Sequence, residues 1–525
     1  MADDLTAAEP DHEVVVIGAG PGGIAAGVKL RRAGIDDFVI LDRSDAPGGT
    51  WQHYVYPGIS VDTPVLFYQF TFAPNPDWTR LFPSGAELQA YHLGIAAEHG
   101  LGPHFRVNTE VLREVWDDDA HYWRLHLADG RELTARFVIS GVGPFITPKD
   151  APFPGLDSYR GIVQRPGRWN PRLEHRGLRV GIVGTGASAV QIIAAIAPEV
   201  RSLTVFQRTP PWCLPRPNPR LAPIRPLLRI PGLVPALRRT VLSVVDAASE
   251  LAVRAEVSEA GYERATGAFD AACRKLYRGY LFTRVRDKRN RDALMPAYGP
   301  LVKRPTANSR FLPTFNRDNV ELVTESVDHF TETGIVTGSG VAHEFDMVVM
   351  ATGHDMYSEP LDYKLGQIVG RDGFDLAGFW RERGMQAFDS VSVPRVPNRF
   401  MLSGPYSWYA VDWHEIVERG ADHAVHAISL CRERGMTAME VRQDVHDAFH
   451  AEQYRAVRRL FSPYFARSAA NAKTNTYYRN SQGEFPFPMV GGVFAAERRA
   501  RDFPPGVYRY RKIAAPVPAL VEAAS

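Results

Sequence analysis

The feature that most constrains this chain is a strand, a glycine-rich turn and a helix that occur twice. The first copy runs from the β-branched stretch Glu13–Ile17 into Gly18-Ala19-Gly20-Pro21-Gly22-Gly23 and an alanine-rich helix. The second runs from Leu178–Val183 into Gly184-Thr185-Gly186-Ala187-Ser188-Ala189. Such glycines permit a tight turn, the approach of a pyrophosphate and close helix–strand packing, while the helix N-terminus supplies N–H donors. Each copy therefore predicts a dinucleotide site in an α/β fold.

The residue after the second strand of each copy differs in charge. Phe38–Leu41 ends at Asp42, and Leu203–Phe206 precedes Arg208; each charged residue lies 24 positions after the first glycine of its turn. A carboxylate can accept hydrogen bonds from ribose hydroxyls, as in FAD, whereas an arginine fork suits the 2′-phosphate of NADPH. We therefore predict FAD in the first site and NADPH in the second. A surface ion pair is the alternative for Arg208.

Two further strands should return to these sites. Phe137–Gly141 and Asp346–Gly353 are apolar runs that end in small residues. Small residues let a chain pass close to bound nucleotide, although core packing alone also explains them.

Length and charge restrict the class of protein. The chain has 525 residues, too many for one simple core, so two or three domains are expected. It has 61 Lys and Arg against 59 Asp and Glu, and a net charge of +2 gives no reason to expect a nucleic-acid or membrane-surface partner. The apolar region 227–253 contains five charged residues, so we expect helices packed on protein and no membrane span.

The cysteines and the start of the chain favour the cytoplasm. Cys213, Cys273 and Cys431 are far apart and form no CxxC pair, which argues against a disulfide framework or a metal site. The first ten residues are acidic and contain no apolar stretch, so they do not resemble a signal peptide.

A third set of residues carries a family resemblance. Gly48-Gly49-Thr50-Trp51, followed by Tyr56-Pro57-Gly58 and Asp62, resembles the class B flavin monooxygenases and, within them, the Baeyer-Villiger monooxygenases. The likeness covers most of the chain. It continues in Phe206-Gln207-Arg208-Thr209-Pro210, Lys303-Arg304-Pro305, Asn316-Arg317-Asp318-Asn319-Val320, Ala351-Thr352-Gly353 and Pro397-Asn398-Arg399-Phe400.

The resemblance implies an architecture of two Rossmann-like domains. Residues 1–145 and 390–525 would form the FAD domain, and residues 146–389 the NADPH domain inserted in it. A helical insertion is expected at about 215–300, where Pro215, Pro217 and Pro219 would break any strand.

One family signature is altered. Between the domains the family has Phe-x-Gly-x-x-x-His-x-x-x-Trp followed by Pro or Asp. This chain has Tyr159, Gly161, Arg165, Trp169 and Asn170, so an arginine replaces the histidine. We expect Arg165 to anchor the link between the two domains.

The resemblance also implies the site residues. Arg304 and Asp62 would be catalytic, with the arginine stabilising negative charge and the aspartate orienting it; a structural ion pair is the alternative. The implied cofactor-binding residues are Gly18, Gly20, Gly23, Asp42, Arg43, Gly49, Thr50, Trp51, Asp62, Tyr68, Val111, Gly184, Gly186, Ser188, Gln191, Arg208, Thr209 and Lys303. Four aromatic residues could line a substrate pocket or pack in the core: Tyr406, Trp408, Tyr409 and Trp413.

The implied reaction is oxygenation of a small organic substrate with O2 and NADPH. A ketone would give an ester or lactone through a flavin C4a-peroxide. Oxygenation of an amine or sulfide by the flavin hydroperoxide is the alternative. A plain NADPH oxidoreductase, such as a disulfide reductase, is a third class, against which the missing CxxC counts. The sequence does not predict the oligomeric state.

Overall fold

A computed structural model describes residues 9–513, except 146, 150, 151, 256, 257, 357 and 409–411. Most of the acidic start of the chain and Tyr409 of the aromatic set therefore lie outside the described residues. The two-domain α/β fold predicted from the sequence is confirmed, with one sheet around each glycine turn.

The first sheet is centred on the first glycine motif. Strand His12–Ile17 is parallel to Phe38–Leu41 on one side and to Glu132–Ser140 on the other. Their central residues are buried aliphatics, as expected for parallel strands covered on both faces. Among the described residues this sheet has eight strands, and the other five are Phe105–Arg106, Val111–Asp117, Tyr122–Leu127, Ile368–Val369 and Arg399–Met401.

The second sheet is parallel throughout. Strand Arg179–Val183, which leads into the second glycine turn, lies between Ser202–Phe206 and Met347–Met350. The two edges of the sheet in the described chain are Val320–Val323 and Ile162–Gln164. A small antiparallel sheet lies in the chain between its strands Val320–Val323 and Met347–Met350, and is formed by Val327–Phe330, Gly334–Thr337 and Ala342–Glu344.

Two links connect the sheets, and they pair with each other. Thr147–Pro148 runs antiparallel to His354–Asp355, so the chain enters the second domain and leaves it side by side. The chain has rejoined the first sheet by Ile368–Val369. The domain boundaries expected at 145 and 390 stay a prediction. Two more strand pairs lie outside the main sheets: Cys213–Leu214 with Thr306–Ala307, and Ala438–Val441 with Tyr508–Arg511.

Residues 215–300 are mainly helical. Their helices are Arg225–Leu228, Leu233–Arg254, Glu259–Arg284 and Lys288–Ala293. The last two are capped by Ser258 and Asp287, whose side chains accept hydrogen bonds from the backbone N–H of Gly261 and Asn290. Within the part of the chain that the structure describes, no helix is both long and apolar enough to cross a membrane.

The remaining helices cover the sheets. Helix Pro21–Arg32 follows the first glycine turn and packs with Trp413–Glu433 in one apolar core. Helix Ala187–Ile196 follows the second turn and packs in another. The others are Thr50–His53, Gly85–Glu98, Phe311–Thr314, Leu376–Arg383, Gln443–Ala466, Ala469–Lys473 and Val493–Arg501.

Candidate active site

The first glycine turn forms a cradle of bare backbone. Gly18 has φ +102°, and a Cβ on Gly23 would lie 1.9 Å from the Gly18 carbonyl oxygen. A Cβ on Gly49 would lie 2.7 Å from the Cα of Gly20, so this second segment touches the turn directly. Side chains are excluded from these three positions. The cradle and the helix N-terminus at Pro21 fit a pyrophosphate group.

Asp42 is held at the edge of this cradle. One carboxylate oxygen accepts a hydrogen bond from the backbone N–H of Ala19 at 2.7 Å. The other accepts from the N–H and the hydroxyl of Ser44, at 2.9 and 2.5 Å. A carboxylate has about four acceptor sites. The carboxylate therefore keeps acceptor capacity for a ribose hydroxyl while its orientation is fixed by the turn.

The second turn repeats this geometry. Gly184 has φ +105°, and a Cβ there would lie 2.5 Å from the carbonyl oxygen of Ala351. A Cβ on Gly186 would meet no atom within 4 Å, so the turn is open on that side. The first turn has the corresponding contact, because a Cβ on Gly18 would lie 3.0 Å from the carbonyl oxygen of Gly141. Both returning strands thus end against a glycine turn, as the sequence predicts.

Two cations meet beside the second turn. Arg208 is exposed just after strand Ser202–Phe206, and Lys303 is half-buried. Burial, and then the charge of Arg208, lower the pKa of Lys303. The hydroxyl of Thr185 in the turn donates to the carbonyl of Thr209 at 3.3 Å, which ties the arginine segment to the turn. Placing like charges together costs free energy unless an anion lies between them, so this arrangement fits a 2′-phosphate.

Arg304 and Asp62 form an ion pair, as the resemblance implies. An Nη of Arg304 lies 3.2 Å from the Asp62 carboxylate, and both side chains are about one-third exposed. The guanidinium also lies 5.6 Å from the centre of the Trp408 ring. Burial alone would lower the pKa of Arg304, but Asp62 holds it above its usual value. The group therefore remains cationic.

Sequence reasoning missed three residues around this pair. Tyr477 and Tyr478 both lie near Arg304 and raise the pKa of its guanidinium. The Tyr477 ring stacks on the Trp408 ring, with the ring centres 5.9 Å apart. Arg216 donates to the carbonyl of Val61 at 2.7 Å, and the charge of Asp62 opposes the lowering of its pKa by burial. The tyrosines come from the C-terminal part of the chain, where no periodic pattern marks them. In the sequence, only the adjacency of these two tyrosines could have pointed to a role at the site.

The segment that carries Asp62 packs on the second domain. The side-chain amide of Gln191 donates to the carbonyl of Ser60 at 2.9 Å and accepts from the hydroxyl of Tyr56 at 3.2 Å. Gly58 has φ +82°, and a Cβ there would lie 2.9 Å from the Gln191 carbonyl oxygen. The polar atoms of Gln191 thus connect the two domains. Its predicted contact with a cofactor stays a prediction.

Tyr54 joins both interdomain links. Its hydroxyl donates to the carbonyl of Phe145 at 3.1 Å and makes a short hydrogen bond with Nε2 of His354. Phe145 precedes the first link, and His354 lies in the second. Arg165 is half-buried and directly precedes the turn Pro166–Arg168. A Cβ on Gly167 in that turn would lie 3.4 Å from the Tyr54 hydroxyl.

The other predicted cofactor residues lie around the first turn and the junction. Thr50 and Trp51 begin helix Thr50–His53, and the buried Trp51 ring meets Tyr68 edge-on at 5.8 Å. Arg43 is exposed, with Glu110 3.6 Å away, and Val111 begins a strand of the first sheet. Ser188 lies beside the hydroxyl of Tyr56. Their contacts with a cofactor stay predictions.

The aromatic residues that could line a substrate pocket have different surroundings. Trp408 faces Arg304, whereas Tyr406 belongs to the first apolar core and Trp413 packs against it. Of the described members, only Trp408 is therefore placed to line a substrate site beside Arg304. Core packing, the alternative considered for each residue, explains the other two.

Comparisons with known proteins agree with this geometry. Residues 15–230 match the family model described as pyridine nucleotide-disulphide oxidoreductase. A Baeyer-Villiger monooxygenase of Streptomyces coelicolor is 35% identical over 401 residues, covering 76% of this chain and 74% of that protein. An uncharacterized monooxygenase of Mycobacterium tuberculosis is 34% identical over 505 residues, covering 96% and 97%. The structure of an oxidized steroid monooxygenase bound to NADP has a TM-score of 0.80 at 25% identity, covering 95% of this chain and 99% of that one.

Two dinucleotide turns with an arginine–carboxylate pair between them, together with these relatives, define a flavoprotein monooxygenase. The chain belongs to the Baeyer-Villiger monooxygenase family. The matched family model spans both glycine turns and so describes the nucleotide-binding fold, whereas the monooxygenase relatives identify the class of reaction.

Proposed function

We propose that this enzyme inserts one oxygen atom of O2 beside the carbonyl group of a ketone and gives an ester or lactone. Ketone, O2, NADPH and a proton then yield the ester, NADP+ and water. The observation that carries the proposal is the Arg304–Asp62 pair. Asp62 follows the segment that packs on helix Ala187–Ile196, and Arg304 follows Lys303 at the second turn. The pair therefore joins the two nucleotide sites.

The residues fit both cofactors. Gly18, Gly20, Gly49 and Asp42 would hold FAD, because they present bare backbone to a pyrophosphate and a fixed carboxylate to a ribose. Gly184, Gly186, Arg208 and Lys303 would hold NADPH, with the two cations on its 2′-phosphate. Bound FAD, reduced by NADPH, supplies the oxygen-activating chemistry.

Arg304 stabilises negative charge at the substrate. A guanidinium keeps its proton at any useful pH, so its task is electrostatic and it transfers no proton. When the ketone is attacked, charge develops on the carbonyl oxygen, and a fixed cation lowers the energy of that state. Asp62 holds the guanidinium in one orientation. Trp408 lies against the guanidinium with one face of its ring, and this contact favours the cationic group.

The thiols support a cytoplasmic enzyme. Cys213, Cys273 and Cys431 are all unpaired, and two of them are buried. Free thiols of this kind are typical of a reducing compartment. We therefore place the enzyme in the cytoplasm, with a small organic ketone as substrate.

The test is a product assay on the purified yellow holoenzyme with ketones, sulfides and amines. A ketone product heavier by one oxygen atom is expected. Arg304→Ala should bind FAD and be reduced by NADPH, yet lose product by at least about a hundredfold. Arg310→Ala, six positions on and exposed, is the matched control and should behave as wild type. Oxygenation of sulfides or amines alone, or full activity of Arg304→Ala, would overturn the proposal.

A further inference from the structure

The helix Leu233–Arg254 turns an apolar face to solvent. Its protein side contains Val234 and Leu242, both buried. The opposite side carries large aliphatic residues that recur every three, four or seven positions, which is the spacing of one helix face. They are Leu233, Leu237, Val241, Val244 and Leu251, and Val244 and Leu251 are 67% and 70% exposed. Eighteen residue steps along a helix correspond to about 27 Å. Soluble helices normally show the reverse pattern.

Between residues 233 and 251, Arg238, Asp246 and Glu250 are directed at the protein, whereas Arg239 is exposed. Arg238 is buried and pairs with Glu415 at 2.7 Å and with Asp412 at 3.3 Å. Asp246 accepts a hydrogen bond from the backbone N–H of Val493. Arg239 lies 5.1 Å from the Phe494 ring. An oxygen of Glu250 lies 3.1 Å from a Cβ built on Gly492. Between residues 233 and 251, no charge therefore falls within the outward apolar stripe.

The same surface extends into the preceding segment. Ile224, Leu227 and Ile230 are 41%, 55% and 49% exposed, at intervals of three residues. We call these three residues and the five on the helix the outer face. Exposed apolar patches of this extent in soluble proteins mark interaction surfaces.

The charge of the surrounding segment identifies the partner. Residues 215–300 contain 16 Lys and Arg against 8 Asp and Glu, a net charge of +8, in a chain whose total is +2. The overall balance hides this segregation. Arg225 and Arg229, which flank the start of the outer face, share the single carboxylate of Asp77, so positive charge remains there. Lys275 and Arg278 on the next helix are exposed.

We propose that the outer face docks on the surface of an anionic lipid bilayer. The basic segment is attracted to anionic headgroups, and the aliphatic side chains enter the boundary between headgroups and acyl chains. The helix lies in the interface and does not cross it, because its other side is packed on the protein. A second copy of the chain is the less favoured partner, because a two-fold contact through this face would bring the basic segments of both copies together.

The proposal is tested by sedimentation of the full-length holoenzyme with lipid vesicles. Wild type should bind vesicles of phosphatidylcholine and phosphatidylglycerol at least about tenfold better than pure phosphatidylcholine, and salt should weaken the binding. The triple variant Leu237→Ser, Val244→Ser and Leu251→Ser should lose binding while it keeps its FAD and its oxygenase activity. The variant Leu361→Ser with Leu365→Ser is the matched control, because both leucines are 61% exposed and lie outside the segment.

Three results would overturn the proposal. The first is a wild type that does not sediment with anionic vesicles at low salt, and the second is a control variant that loses binding as much as the triple variant. Light scattering could instead reveal a wild-type dimer that the triple variant abolishes, and the outer face would then be a contact between copies of the chain.

Discussion

The hydroxyl of Tyr54 and Nε2 of His354, 300 positions apart in the chain, are hydrogen-bonded where the two links between the domains meet. The same hydroxyl donates to Phe145 at the first link. One side chain thus contacts both crossings and contributes, together with Gln191, to the relative position of the two nucleotide sites.

Removing this hydroxyl should uncouple the reaction without unfolding the enzyme. Tyr54→Phe should retain FAD but release about two- to tenfold more hydrogen peroxide per NADPH oxidised, because a looser junction excludes water less well. Tyr159→Phe is the matched control, since its hydroxyl donates to Phe345 within the second domain. Equal peroxide release from both variants would show that the effect is not specific to the junction.

Coenzyme preference depends on the cations beside the second turn. Arg208→Ala should raise the KM for NADPH about ten- to a hundredfold and leave NADH unchanged, because a charged hydrogen bond contributes roughly 1.5–3 kcal/mol. Flavin reduction measured by stopped flow with both coenzymes checks this. Arg201→Ala, an exposed arginine in the same domain, should have no effect. A wild-type enzyme that uses NADH equally well contradicts the assignment.

The altered signature position should act on coupling and not on selectivity. Arg165 lies beside the junction that Tyr54 fixes. We expect Arg165→Ala to bind FAD normally and to release more hydrogen peroxide per NADPH, with an unchanged order of substrate preference. Arg165→His, which restores the family residue, should stay coupled. If Arg165→Ala remains coupled and changes which substrates react, the residue belongs to the substrate site.

Glu418 should make stability depend on pH. Burial raises the pKa of this carboxyl from 4.5 to about 7, although Lys29 and two hydrogen bonds from Thr71 oppose the shift. The folded state therefore binds the proton more tightly than the unfolded state. Its stabilising contribution is present below pH 4.5 and is lost as pH rises through about 7, a change on the order of 1–3 kcal/mol.

The matched variant is Glu418→Gln, which mimics the protonated carboxyl. We expect the unfolding temperature of this variant to fall less between pH 5 and pH 8 than that of wild type. Flavin fluorescence, recorded during heating, measures the unfolding temperature. Burial also raises the pKa values of Asp412 and Glu415, and these two groups contribute in the same direction in both proteins. Parallel curves for the two proteins would exclude Glu418 as a source of the dependence.

Local patterns were sufficient for the nucleotide folds. Strand, glycine turn and helix adjoin in sequence, and the interval from Gly18 to Asp42 recurs from Gly184 to Arg208, so both sheets could be predicted. Some strand ends differ by one residue from the expected ones, as at His12 and Arg179. Strand Glu132–Ser140 begins five residues before the expected run, and Met347–Met350 ends three residues before its expected end. Ile368–Val369 could not be found, because a two-residue strand carries no periodicity of its own.

Features formed by segments that are distant in the chain could not be predicted from the sequence. The approach of Tyr477 and Tyr478 to Arg304 depends on how the C-terminal part of the chain returns to the junction. The outer face was hidden for another reason. The region 227–253 was expected to pack on protein, and its spacing does indicate an amphipathic helix. Only the fold shows that the polar side of helix Leu233–Arg254 packs on the protein and that its aliphatic side is exposed.

The contact between Gly20 and Gly49 limits how this enzyme can be engineered. Replacing glycine by alanine is a common route to higher thermal stability, because it narrows the unfolded ensemble. At Gly49 the added methyl carbon would lie 2.7 Å from the Cα of Gly20, and the backbone has φ +58°. A stabilisation programme should leave this pair untouched and begin at glycines with open surroundings and ordinary φ, such as Gly94 and Gly279.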